Sequence, residues 1–218
     1  MSDLLDGDCR LNGDEGANSR HEFFRACGIV PGHITAGKQV HGATVAVVRE
    51  SDRGRGATST LDPFPETDAL ITNIAALPLV ISIADCVPVF LFDATKRAIG
   101  LVHAGRVGTQ HRIVANAVDA LRTEYGTIPA DIHAVIGPSA GPEAYEVSHE
   151  MAAEFANLGL PVRGRCIDLW EANARQLESC GVPRAQIEIT GICTITSGRF
   201  HSHRAHNNGA RNLALFML

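Results

Sequence analysis

LVISIADCVPVFLFDATKRAIGLVHAGRVG, residues 79–108, reads as two apolar strands that each deliver one soft ligand at the edge of an apolar run. Residues 79–93 are mostly Val, Ile, Leu and Phe, the composition of a strand buried on both faces, and residues 99–102 are a shorter copy. Cys86 follows Ala84-Asp85, and His103 precedes Ala104-Gly105. Pro88 cannot donate to a β-ladder, so it is expected to mark a bulge or the point where the strand leaves its sheet. A thiol and an imidazole at such places are candidate site residues.

The whole chain sets the context for that stretch. Its 218 residues, 45% hydrophobic, suit one globular domain with a sizeable core. A net charge of −5 gives no basic footprint for nucleic acid. No apolar run approaches the ~20 residues of a membrane span, and residues 1–16 lack the basic and apolar regions of a signal peptide. Six dispersed cysteines without a Cys-x-x-Cys pair fit a reduced, cytoplasmic protein.

Residues 1–17 read as a flexible end, and residues 18–218 as the working domain. Residues 18–27 form a packing helix with Phe23, Phe24 and Cys27 as apolar contacts, closed by Gly28. His41, leading into the strand-like residues 43–48, is a third ligand candidate. Residues 50–66, rich in Gly and Pro, are expected to form a mobile loop, either a lid or a simple insertion. Residues 67–72 resume strand structure with Asp68 at its start. Thr109 caps a helix whose apolar positions Ile113, Val114, Ala117, Val118 and Leu121 keep the helical period. That helix begins just beyond Gly105, so its free N–H groups can face an anion. Strands at 134–137, 187–190 and 213–218 and helices capped by Ser148 and Asp168 complete an α/β (mixed α+β) single domain, a central mixed sheet flanked by helices.

One Cys and two His suit a catalytic zinc site, in which three protein ligands leave the fourth position open. The spacings put His41, Cys86 and His103 on separate strands, so tertiary structure must assemble them. Residue types alone leave other readings open: an inert core thiol with a satisfied core histidine, or a Cys86 thiolate nucleophile with His103 as base, as in a Cys-His hydrolase.

Gln39-Val40-His41-Gly42, Thr67-Asp68-Ala69, Ala84-Asp85-Cys86-Val87-Pro88, His103-Ala104-Gly105, Gly137-Pro138 with Tyr145-Glu146-Val147, and Cys193-Thr194 followed by residues 200–204 occur in a recognisable order. Over residues 18–218 the chain resembles the laccase-domain purine nucleoside phosphorylase family, also called peptidoglycan editing factors and once described as multicopper polyphenol oxidases. The resemblance implies zinc held by His41, Cys86 and His103. It implies phosphorolysis of adenosine, inosine, guanosine or methylthioadenosine, with adenosine deamination as a further activity. Gly105, Gly108, Arg106 and Arg204 are then the phosphate-binding candidates, and Asp85 and Glu146 join Cys86 and His103 as catalytic candidates.

The chain departs from the family pattern at two places. HAG is usually continued by Trp-Arg-Gly but here by Arg106-Val107-Gly108, and a usual FFSYRR run is replaced by Phe200-His201-Ser202-His203-Arg204-Ala205. The first departure favours an alternative reading, a divergent non-catalytic member or one that edits cell-wall precursors. Copper fits less well than zinc, because a multicopper site needs several His-x-His pairs and this chain has one, His201 and His203.

Overall fold

A computed structural model describes residues 1–11, 15–57 and 62–218. In chain order the strands are β1 (Thr35–Ala36), β2 (Val45–Val47), β3 (Ala69–Thr72), β4 (Leu79–Ile83), β5 (Val87–Asp93), β6 (Ala98–Ala104), β7 (Ile132–Ile136), β8 (Val162–Arg163), β9 (Cys166–Ile167), β10 (Ile187–Ile189) and β11 (Asn212–Phe216). The helices are α1 (Ala17–Ala26), α2 (Arg106–Gln110), α3 (Ile113–Tyr125), α4 (His149–Asn157), α5 (Leu169–Ser179) and α6 (His203–His206).

A mixed six-stranded sheet has the order β10-β7-β5-β6-β3-β2, and a three-stranded sheet has the order β1-β4-β11. Every residue of β6 is buried, because its two faces meet different layers. Val102 and Ala104 pack with Val114, Val118 and Leu121 of α3 and Leu177 of α5. Ile99 and Leu101 pack with Leu79, Ile81 and Ile83 of β4 and Ala214 of β11. The molecule is thus a helix layer, a six-stranded sheet and a second small sheet. His103 shares the parity of Ile99 and Leu101, so it emerges on the inter-sheet side just where the small sheet ends.

The single strand expected over 79–93 is two strands in two different sheets. The chain crosses between them at Ala84-Asp85-Cys86, with Asp85 left-handed at φ 78°. Asp tolerates that region better than most residues, and three contacts hold it there. Its carboxylate accepts from Thr194 Oγ1 at 2.7 Å and from the Arg204 N–H at 2.7 Å, and its carbonyl accepts from the Ala140 N–H at 2.9 Å. The crossing therefore ends with Cys86 and does not fall at Pro88. Pro88 sits inside β5 opposite His103. Its carbonyl accepts from the Gly137 N–H at 2.9 Å, while the Gly137 carbonyl accepts the Ser139 hydroxyl at 3.0 Å in place of the N–H that proline lacks.

The helix expected after Gly105 also differs. It starts at Arg106 as the short α2 and breaks at Arg112, left-handed at φ 59°, before α3 begins. Thr109 lies inside α2 and donates to or accepts from Asn173 instead of capping. Residues 1–11, expected as a flexible end, are hydrogen-bonded to the C-terminal segment: Ser2 to Leu213 and Cys9 to Arg211 at 2.8 and 3.0 Å. Cys9 is buried, whereas Cys27 is exposed and is no core contact. Part of the expected lid, residues 58–61, lies outside the described residues. The flanks are anchored, with the Ala36 N–H donating to Arg55 at 3.0 Å and the Phe64 N–H to Ala36 at 3.3 Å. No helix among the described residues is long and apolar enough to cross a membrane.

Candidate active site

A cleft of about 900 Å³ opens at the end of the inter-sheet layer, and His41, Cys86 and His103 lie on its wall. Each arrives on a different piece of local structure. His103 is the penultimate residue of β6, Cys86 ends the crossing between the two sheets, and His41 sits in the turn before β2. Their ligand atoms lie within 4.8 Å of one another, and the two imidazole rings meet edge to face, 5.0 Å between centroids. Among the described residues they form the one group of three or more His, Cys, Asp or Glu side chains able to hold an ion.

Asp68 builds this cluster. Its carboxylate accepts from the N–H groups of Val40, His41 and Gly42 at 3.1, 2.9 and 2.9 Å, and Oδ1 lies 2.7 Å from Nδ1 of His103. His41 is left-handed at φ 62°, a conformation costing a non-glycine residue of order 1–3 kcal/mol. Hydrogen bonds to a charged group contribute about 1.5–3 kcal/mol each, so three of them outweigh that strain. The bond to Nδ1 leaves Nε2 of His103 free for the cluster. Gln39 fixes the same turn from the other side, donating to the Ser82 carbonyl and accepting from the Ser82 N–H, both at 2.8 Å.

The electrostatics follow from this packing. Burial alone would push the Cys86 thiol up, but the His103 charge and hydrogen bonds from both imidazoles outweigh it and bring the thiol down to about 6. Burial would push His103 down, but the Cys86 thiolate and the Asp68 carboxylate raise it to about 9. Asp68 is held below the usual carboxylate range against its burial, chiefly by His103 and the Val40 and Gly42 amides. A thiolate beside two imidazoles, one oriented by a carboxylate, is a donor set that fits a soft or borderline divalent ion.

Gly105 and Gly108 serve the cluster by being small. A Cβ on Gly105 would lie 2.9 Å from Cys86 Sγ and 3.2 Å from His41 Cδ2, and one on Gly108 would lie 2.9 Å from the Gly42 carbonyl oxygen. Arg106 and Val107 both line the cleft, because the segment is the first turn of α2 and not extended chain. Arg204 lines it too, stacked over Tyr145 at 5.3 Å and donating to the Glu146 carbonyl at 2.6 Å. Asp85 reaches the cleft wall, but both of its carboxylate oxygens are taken by Thr194 and Arg204. The Glu146 side chain stands outside the cleft, half-exposed and paired with Arg165. The structure therefore brings together His41, Cys86, His103, Gly105, Gly108, Arg106, Arg204 and Asp85, and leaves Glu146 apart. Tyr145 and Asp68 were visible in sequence only as members of motif blocks; neither carried a spacing that marked its role.

A family model described as multi-copper polyphenol oxidoreductase laccase matches residues 12–218. The chain belongs to this family. Within it, the purine nucleoside phosphorylase YlmD of Geobacillus stearothermophilus is 34% identical over 191 residues, which cover 83% of this chain and 70% of that protein. A purine nucleoside phosphorylase of Deinococcus radiodurans is 36% identical over 194 residues, 86% of this chain and 71% of that one. The crystal structure of YlmD from Geobacillus stearothermophilus shares the fold with a TM-score of 0.89 at 30% identity, covering 96% of this chain and 84% of that chain. The names of these relatives support an enzyme role for the laccase-family fold. The copper of the family's description would call for a richer set of His ligands than this cleft offers, since His201 is buried against the Gly7 carbonyl at 3.0 Å and, of that His-x-His pair, His203 alone lines the cleft beside His41 and His103.

Proposed function

We propose that this protein is a zinc-dependent purine nucleoside phosphorylase, joining a purine nucleoside and phosphate to give the free base and ribose 1-phosphate. One observation carries the reading: a single cleft holds the His41-Cys86-His103 cluster together with Arg106 and Arg204, whose guanidinium groups have no carboxylate partner among the described residues. Arg10, which also lines the cleft, is by contrast paired with Asp8 and Glu15. Two unneutralised guanidinium groups suit a phosphate, because their planar forks match its oxygens.

His41, Cys86 and His103 would hold the zinc, which when bound supplies Lewis acidity to a substrate oxygen or nitrogen. In the reaction a phosphate oxygen bonds to C1′ as the C1′–N9 bond breaks, and the electron pair leaves with the purine, which takes up a proton. Arg106 and Arg204 bind and orient the phosphate and offset its charge as it approaches C1′. Asp68 holds His103 in one orientation throughout. Tyr145, raised above the ordinary phenol range by burial and the Cys86 charge, stays protonated and offers the purine an aromatic edge and a hydroxyl proton. Glu146, turned away to Arg165, has no part in this scheme.

The test is incubation of the zinc-loaded protein with adenosine, inosine or guanosine, with and without phosphate, followed by chromatography. Base release that requires phosphate supports the proposal. Its absence with zinc bound contradicts it, and conversion of adenosine to inosine in the same runs would report deamination.

A further inference from the structure

A second depression adjoins the cleft and shares three of its wall residues, Arg106, Tyr145 and Arg204. Its remaining lining includes Glu146, Ser148 and Arg165. Three guanidinium groups face one carboxylate there, and that carboxylate is already paired with Arg165. The groove therefore keeps a surplus of positive charge, in a protein whose net charge is negative. Its volume, about 590 Å³, exceeds what one phosphate fills. Since the wall between groove and cleft consists of side chains lining both, a ligand whose body lies in the cleft can place an anionic substituent in the groove. The Arg204 guanidinium, laid over the Tyr145 ring, stands at that junction.

We propose that this groove receives the phosphate of a phosphorylated purine nucleoside, so that the substrate class extends from nucleosides to nucleoside monophosphates. The inference rests on the nucleoside reading of the cleft and adds a second anion subsite, which shares Arg106 and Arg204 with the one for the attacking phosphate and adds Arg165. Arg165 is the residue that separates the two subsites, because it lines the groove and not the cleft. Exposed in the turn between β8 and β9, it can be replaced without opening the core.

The experiment is titration calorimetry of the full-length, zinc-loaded protein in phosphate-free buffer with adenosine, 5′-AMP, 3′-AMP and inorganic phosphate. One monophosphate should bind at least tenfold more tightly than adenosine, and the arm that does so tells which ribose hydroxyl faces the groove. Arg165→Ala should remove most of that advantage and leave adenosine affinity unchanged, whereas Glu146→Gln should increase it. The proposal is overturned if neither monophosphate exceeds adenosine, if Arg165→Ala leaves the advantage intact, or if only inorganic phosphate responds to Arg165→Ala. Binding is read without turnover, so an Arg165-dependent nucleotide advantage in a protein that releases no base would sink the phosphorylase reading alone. Base release from adenosine without a nucleotide advantage would sink the groove alone.

Discussion

The Asp68 carboxylate lies 2.7 Å from Nδ1 of His103 while also receiving the N–H of His41 at 2.9 Å, so one buried acid sets the position of both imidazoles of the cluster. A carboxamide at that position keeps the shape but turns an amide N–H toward backbone N–H groups. Asp68→Asn is therefore expected to weaken zinc binding about 10- to 100-fold, the usual cost of losing a partner of a metal-bound histidine. Chelator competition measures it; unchanged affinity would show that Asp68 does not orient the ligands.

Lowering of the Cys86 thiol to about 6 has a pH signature in the metal-free protein. A depressed thiol stays ionised down to that pH, so alkylation of Cys86 by iodoacetamide should remain fast at pH 7 and fall away below about 6, where an ordinary thiol would already be slow. Zinc affinity should fall as the pH drops below about 9, where His103 keeps its proton, and more steeply below about 6, because the ligands must be a neutral imidazole and a thiolate. Mass spectrometry of the alkylated peptide against pH is the check. An apparent pKa near 9 would remove the thiolate–imidazolium pair from the account.

Gly105→Ala keeps an ordinary backbone, since Gly105 has φ −71°, but its Cβ would press on Cys86 Sγ. Zinc content should drop severalfold while the thermal transition of the metal-free protein moves little. Full zinc content in this variant would show that the close approach has slack.

The first turn of α2 places both Arg106 and Val107 on the cleft wall. A cation at position 107 is thus within the site, and the resemblance places one there. Val107→Arg, which keeps Arg106, is expected to raise phosphorolysis at least tenfold, about 1.4 kcal/mol in the barrier, without altering zinc content. No gain in a folded, zinc-loaded variant would mean that Arg106 and Arg204 already complete the phosphate subsite.

Cys86 and His103 were legible because each stands at the end of an apolar run, where a polar side chain has few reasons to be unless a site needs it. The split of residues 79–93 between two sheets was not, because both halves are equally apolar and the break falls on Asp85, whose left-handed backbone depends on Thr194 and Arg204 far along the chain. The early start of α2 escaped for a similar reason: Arg106-Val107-Gly108 has no helical period of its own. Asp68 looked like a strand start, and its role appears only when the turn carrying His41 folds over it. The Glu146 carboxylate was read as catalytic by its place in a motif, yet Arg165 draws it out of the cleft.

The most direct test of the account compares wild-type protein with Cys86→Ala, measuring zinc by elemental analysis and phosphate-dependent release of purine base in the same samples. The expected result is about one zinc per chain and base release in the wild type, with both lost in the variant. Base release by Cys86→Ala, or a zinc-loaded wild type that releases no base when phosphate is added, would contradict it.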